Sequence, residues 1–150
     1  SNTGCGITGD GDSIHQNCSF DHNWIYSNTS LGFSLQYSSA LSKDICFDYN
    51  HVYSNGTTGC QIASFGGHAI GNTFRNNTTN GIYIKTATRQ FTIALNVCYD
   101  NQTPKTQSWG MVIDVDTEDL IIVHNDLKGN TNGLNNVSTG VNNIVGPNLY

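Results

Sequence analysis

Two pairs of carboxylates in this sequence have the spacing used for acid–base chemistry on a glycosidic bond. Asp114 and Asp116 alternate with apolar Ile113 and Val115. On a strand with Ile113 and Val115 inward, both carboxylates point outward, about 6.6 Å apart by the standard rise. Asp21 and Asp48 hold the same place in two successive copies of a repeat, and stacking those copies sets them about 4.8 Å apart. The gap between the carboxyls decides whether a water fits between them, and with it the course of hydrolysis. Like charges this close need a shared proton or an intervening cation. On this reading Asp114 and Asp116 are acid and base, Asp21, Asp48 and Lys85 are alternatives, and Arg75 or Lys85 assists. The plainer reading is surface Asp on polar β-coils.

A second chemistry is adhesion to sugars. Trp24 and Tyr26, His51 and Tyr53, Arg75, and Tyr99 fall one or three residues after a recurring Asn. Stacked aromatics with polar neighbours match the apolar face and polar rim of a sugar ring. Trp109, in an insertion, joins this carbohydrate-binding set. The competing reading is an aromatic ladder that stiffens a sheet or packs on another subunit.

Other chemistry is thin. Gly9-Asp10-Gly11-Asp12 offers oxygens to Ca2+ but lacks the length and terminal Glu of a dedicated loop, so a turn is favoured and no metal site is assigned. The five histidines form no zinc-binding spacing. Seven Asn-x-Ser/Thr sequons occur, four of which, Asn28, Asn55, Asn77 and Asn101, recur at one corner and are candidate glycosylation sites. Of the five cysteines, Cys18, Cys60 and Cys98 fall on inward positions, while Cys5 and Cys46 lie near corners or outward, where they can pair with another chain.

The element that must position all of these is the repeat. Asn23/Asn28, Asn50/Asn55, Asn72/Asn77, Asn96/Asn101, Asn125/Asn130 and Asn143/Asn148 keep one spacing, with Asn2 as the second Asn of a truncated copy. Two residues after each first Asn stands Ile25, Val52, Phe74, Cys98, Leu127 or Val145, and apolar residues alternate before it. After the second Asn a Gly opens another alternating run, as in Gly32-Phe33-Ser34-Leu35 and Gly81-Ile82-Tyr83-Ile84. Period-2 alternation marks strands with one buried face. Copies this short cannot bury that face alone, so they must stack into an all-β parallel solenoid of about six coils, an Asn ladder at its corners. Asn in the left-handed conformation is expected to make those corners.

The run from Ile45 to Ile62, with Asn50, Asn55 and Gly59, resembles the parallel β-helix repeat of the pectate-lyase-like superfamily. That resemblance implies a right-handed helix. It also brings a family of polysaccharide lyases, glycoside hydrolases, epimerases and phage tailspikes. Gly66-Gly67-His68 and the run from Gly81 to Thr86 approach two polygalacturonase motifs, but Ala69 and Tyr83 break them and the match is read as coincidence.

Composition sets the remaining bounds. The chain is one domain of 150 residues, 11% charged, with net charge −5 and 16 Gly, a mixture suited to turns and coils. Six basic residues against eleven acidic ones exclude a nucleic-acid partner, and no apolar run is long enough to span a membrane. Gln102 to Trp109 is five residues longer than its equivalents and should bulge as a loop; Gly9 to His15 and Ser38 to Lys43 are further connections. The preferred function is an extracellular, cell-surface or virion rod that touches polysaccharide and self-associates head to tail or as a trimer. The alternative is a lyase or hydrolase acting on an acidic polysaccharide.

Overall fold

A computed structural model describes residues 2–9, 15–35 and 42–150. The chain winds through β1 (Ile7–Gly9), then β2 (Ser19–Asp21), β3 (Trp24–Tyr26) and β4 (Phe33–Leu35). The next turn is β5 (Ser42–Asp48), β6 (His51–Tyr53) and β7 (Cys60–Ile62); the third is β8 (Ser64–Ile70), β9 (Thr73–Arg75) and β10 (Asn80–Ile84). β11 (Thr92–Ala94), β12 (Val97–Tyr99) and β13 (Trp109–Ile113) follow, then β14 (Ile121–Val123), β15 (Asn132–Asn136) and β16 (Ile144–Val145). The Ca2+ candidate at Asp10 to Asp12 and most of the two early connections lie outside the described residues.

Three parallel sheets result. One runs β1-β4-β7-β10-β13-β15, another β2-β5-β8-β11-β14-β16, and the third β3-β6-β9-β12, continued by single bridges at Asp126 and Leu149. Ile25, Val52, Phe74 and Cys98 stand in register as a buried column, as the repeat requires. Phe33 and Phe47 pack across the interior at 4.4 Å between ring centroids. Each such fully buried side chain contributes about 1.5–3 kcal/mol, enough for the stack to hold what single turns cannot.

The solenoid makes about five turns, not six, because the last Asn pair is offset from the others. β14 pairs β16 with Ile122 opposite Val145, which puts Asn148, not Asn143, above Asn125: Asn125 Nδ2 donates to Asn148 Oδ1 at 3.0 Å. Asn143 instead accepts from the Leu120 amide. Counted to Asn148, the final step is 23 residues, in line with the others. Val145 accordingly takes the place of Ile122 and is exposed in this last coil.

The corners also differ from expectation. The left-handed residue is the one before the ladder Asn: His22, Tyr49, Gly71, Leu95 and His124 have φ between 53° and 68°. That bend turns the following N–H along the solenoid axis, so the Asn50 amide donates to Asn72 Oδ1 at 2.8 Å. Ser27, Ser54, Asn76 and Gly129 bend the second corner in the same way, and Asn17, Asp44, Gly66, Gln90, Asp119 and Asn142 the third. Such a bend costs an ordinary residue about 1–2 kcal/mol; Ser, Asn, Asp and Gly fill the second and third corners apart from Gln90, whereas the first corner carries His22, Tyr49, Leu95 and His124 beside Gly71.

Candidate functional site

The outer face of the β3-β6-β9-β12 sheet brings together most of the sugar-binding set. Parallel register stacks Trp24, His51, Thr73 and Val97 in one column and Tyr26, Tyr53, Arg75 and Tyr99 in the next. Tyr26 and Tyr53 lie 5.0 Å apart and 4° from parallel, and the Arg75 guanidinium covers Tyr53 at 4.6 Å. Both faces of Tyr53 are therefore occupied, and that column presents edges and hydroxyls. Trp24 is tilted over His51 at 4.9 Å, meets Tyr53 edge-on, and stays 66% exposed. Trp24, His51, Tyr53, Thr73, Arg75 and Tyr99 line one groove. Trp109 is not in it: the residue opens β13 in another sheet, between Asn80 and Asn132.

A polar groove runs along the neighbouring corner, lined among others by Ser27, Ser54, Asn76, Thr78, Gln102 and Thr106. The expected insertion builds its wall. The loop leaves the ladder after Asp100, which is buried and accepts from the amides of Gln102, Thr106 and Gln107 at 2.8, 2.5 and 2.6 Å. It returns by placing Gln107 where Asn101 was expected. Asn77 Nδ2 donates to Gln107 Oε1 at 3.2 Å, and Gln107 Nε2 to Asn130 Oδ1 at 2.6 Å. Asn101 lies outside, exchanging hydrogen bonds with Asn76. Glutamine's extra methylene lets it reach the ladder from a loop that carries its backbone off register.

Burial raises the Asp100 carboxyl, but the amide donors of Gln102, Gln107 and Thr106 outweigh it and hold the group below its ordinary value. A carboxyl lowered on folding stabilises above its unfolded value, and that contribution is lost as pH falls through the folded value. Asp100→Asn should cost about 1–2 kcal/mol in urea unfolding at neutral pH, the gap closing in strong acid. An equal gap at both pH values would remove the charge from this account.

The carboxylate pairs are organised differently from expectation. β13 ends at Ile113, and Val115 is 42% exposed, so the alternation that would align Asp114 with Asp116 stops. Asp114 takes a hydrogen bond from the Tyr83 hydroxyl at 2.7 Å and one from the Val115 amide. Burial, then the bond to Asp114 and its charge, push the Tyr83 phenol up to about 12. Asp116 sits in the following turn, with φ of 53°, and accepts from Thr139 of the next coil. Lys85 lies just beyond β10. Asp21 and Asp48 do stand opposite each other in register, but each has a histidine partner: His22 for Asp21 and His68 for Asp48.

Asn28, Asn55 and Asn77 are buried and spend their amides on the ladder. A row of glycans at that corner does not fit the folded chain, because a ladder Nδ2 has no room for a sugar; Asn101 alone of the four is exposed. All five cysteines are free: Cys60 and Cys98 are fully buried, Cys18 packs partly against the core, and Cys5 and Cys46 are half-buried. The contact of His68 with Cys46 and Asp48 does not follow from the spacing of histidines along the chain. The signal was across copies: Cys46 and His68 each stand four residues before a ladder Asn.

Compared with protein families, the sequence matches the model described as a right handed beta helix region over residues 1–149. No curated protein and no solved structure matches it.

Proposed function

The chain belongs to the right-handed β-helix family, and from that premise we propose that it is a rigid rod that holds polysaccharide along the outer face of the β3-β6-β9-β12 sheet. The observation that carries this reading is Trp24, a large aromatic left 66% exposed in a groove with His51, Tyr53 and Arg75 around it. An indole with one free face stacks on the apolar side of a sugar ring. The Tyr53, Tyr26 and Tyr99 hydroxyls and the Arg75 guanidinium supply the rim of donors that a sugar's hydroxyls or carboxylates need. The polar groove beside it, walled by Gln102 and Thr106, extends the same surface. The proposal includes a place outside the cell, on a cell surface or on a virion, and self-association head to tail or as a trimer. Sedimentation over a range of concentrations measures the association, and a monomer at every concentration removes that element of the proposal.

Titration calorimetry against a panel of neutral and acidic polysaccharides tests the contact. Trp24→Ala should weaken binding about tenfold, which is ~1.4 kcal/mol. Tyr53→Phe, which keeps the ring stack, should lose less than Tyr53→Ala. Binding indifferent to Trp24→Ala would sink the reading. No polysaccharide bound at all would leave the aromatic columns as a stiffening ladder.

A further inference from the structure

On the outer face of β5 and β8, three side chains form a chain of contacts that the polysaccharide reading does not use. Register sets Cys46 beside His68 and Asp48 beside Ile70. His68 Nε2 lies 2.9 Å from Asp48 Oδ2, and His68 Nδ1 lies 3.9 Å from Cys46 Sγ. The other oxygen of Asp48 accepts the Ile70 amide at 2.9 Å, which fixes the carboxylate. A carboxylate only accepts, so Nε2 carries the ring hydrogen, and in the neutral ring Nδ1 turns its lone pair to the thiol. Nucleophile, base and orienting carboxylate thus follow one another in the order that activates a serine or cysteine on unrelated folds.

We propose that Cys46 is a nucleophile toward carboxylic esters, with His68 as its general base and Asp48 as the positioning residue. All three sit on paired strands of the solenoid wall, where geometry is held better than on a loop. The flanking register positions carry Ser19 beside Cys46 and Thr92 beside His68, small side chains that leave the sulfur approachable. The carboxylates nearby are Asp44, on β5 itself, and Asp21, opposite Asp48. Burial, then the charges of Asp48 and Asp44, push the Cys46 thiol up. The sulfur therefore rests as a neutral thiol at neutral pH, and its attack depends on His68.

In the reaction the S–H proton passes to His68 Nδ1 as sulfur bonds to the ester carbonyl carbon. The tetrahedral adduct then collapses with cleavage of the C–O bond. The proton moves from Nδ1 to the departing oxygen, leaving an alcohol and an acyl thioester on Cys46. No oxidant or reductant is involved.

The full chain incubated with 4-nitrophenyl acetate at neutral pH, then digested and mapped by mass spectrometry, tests the proposal. Cys46 should acquire acetyl at least about tenfold faster than Cys5 and Cys18, the other partly exposed thiols. His68→Asn should slow release of 4-nitrophenolate about 10²-fold, and Asp48→Asn should shift the inflection of the pH–rate profile. Acetyl spread evenly over Cys5, Cys18 and Cys46 in the unsubstituted chain would overturn the proposal without recourse to any variant. An unchanged rate in folded His68→Asn would do the same, and an unmoved profile in Asp48→Asn would remove Asp48 from it.

Discussion

Asn72→Ala should lower the melting temperature by about 10 °C, from a loss of about 4 kcal/mol at roughly 2–4 °C per kcal/mol for a chain of this size. Asn72 is buried, and its Oδ1 accepts both the backbone amide of Asn50 at 2.8 Å and the Asn50 side-chain amide at 3.0 Å. Its Nδ2 donates to the Phe47 carbonyl at 2.7 Å and to Asn96 Oδ1 at 2.9 Å. Truncation orphans the Asn50 backbone N–H inside the protein and takes one hydrogen bond each from Asn50 Nδ2, the Phe47 carbonyl and Asn96 Oδ1; the orphaned donor costs about 1–3 kcal/mol and each lost bond about 0.5–1.5 kcal/mol. Asn72→Asp keeps the acceptor but puts an uncompensated charge in the ladder, and should do no better. The control is Asn101→Ala. Its sequence context looks the same, yet it touches only Asn76 at the surface, so its effect should stay within about 0.5 kcal/mol. Equal losses at the two positions, read by calorimetry, would show that the ladder hydrogen bonds carry no special weight.

Gly59→Ala should cost about 3 kcal/mol or more, the upper end of overpacking penalties. The glycine that follows each second Asn is not there for backbone freedom, since none of Gly32, Gly59, Gly81 and Gly110 has a positive φ. It is there for clearance. A Cβ on Gly59 would lie 2.7 Å from the Gly81 carbonyl oxygen, 2.8 Å from Asn77 Nδ2 and 3.0 Å from a Phe74 ring carbon. The same approach repeats along the column, with a Gly32 Cβ 2.5 Å from the Gly59 carbonyl and a Gly81 Cβ 2.6 Å from that of Gly110. Coils held at the strand spacing have no slack to yield, so the methyl must push neighbouring parallel strands apart. Gly4→Ala, which meets nothing within 4 Å, should be nearly silent. Urea unfolding of the two variants side by side measures the difference, and comparable stabilities would remove clearance as the reason for the column.

By itself the sequence determined the winding, because a repeat that must bury one face has a single economical arrangement. Period-2 alternation chose inward residues, and the paired Asn and the following Gly fixed where each turn closes. Ile25, Val52, Phe74 and Cys98 therefore fall where the pattern sets them, and Trp24, His51, Tyr53 and Arg75 share an outer face. Only the tertiary structure decided what depends on local departures from the repeat. Gln107 displaces Asn101 because a loop can rejoin a ladder with any side chain that offers an amide at the right height. Asn148 rather than Asn143 continues the ladder because register is set by strand pairing and not by the interval between asparagines. Asp114 turns to Tyr83 because β13 ends before Val115. His68 meets Cys46 and Asp48 across neighbouring coils, a contact between residues 22 and 20 positions apart. Equal distance from the ladder Asn makes Cys46 and His68 neighbours in the stack, but side-chain conformation decides that the ring meets both the thiol and the carboxylate.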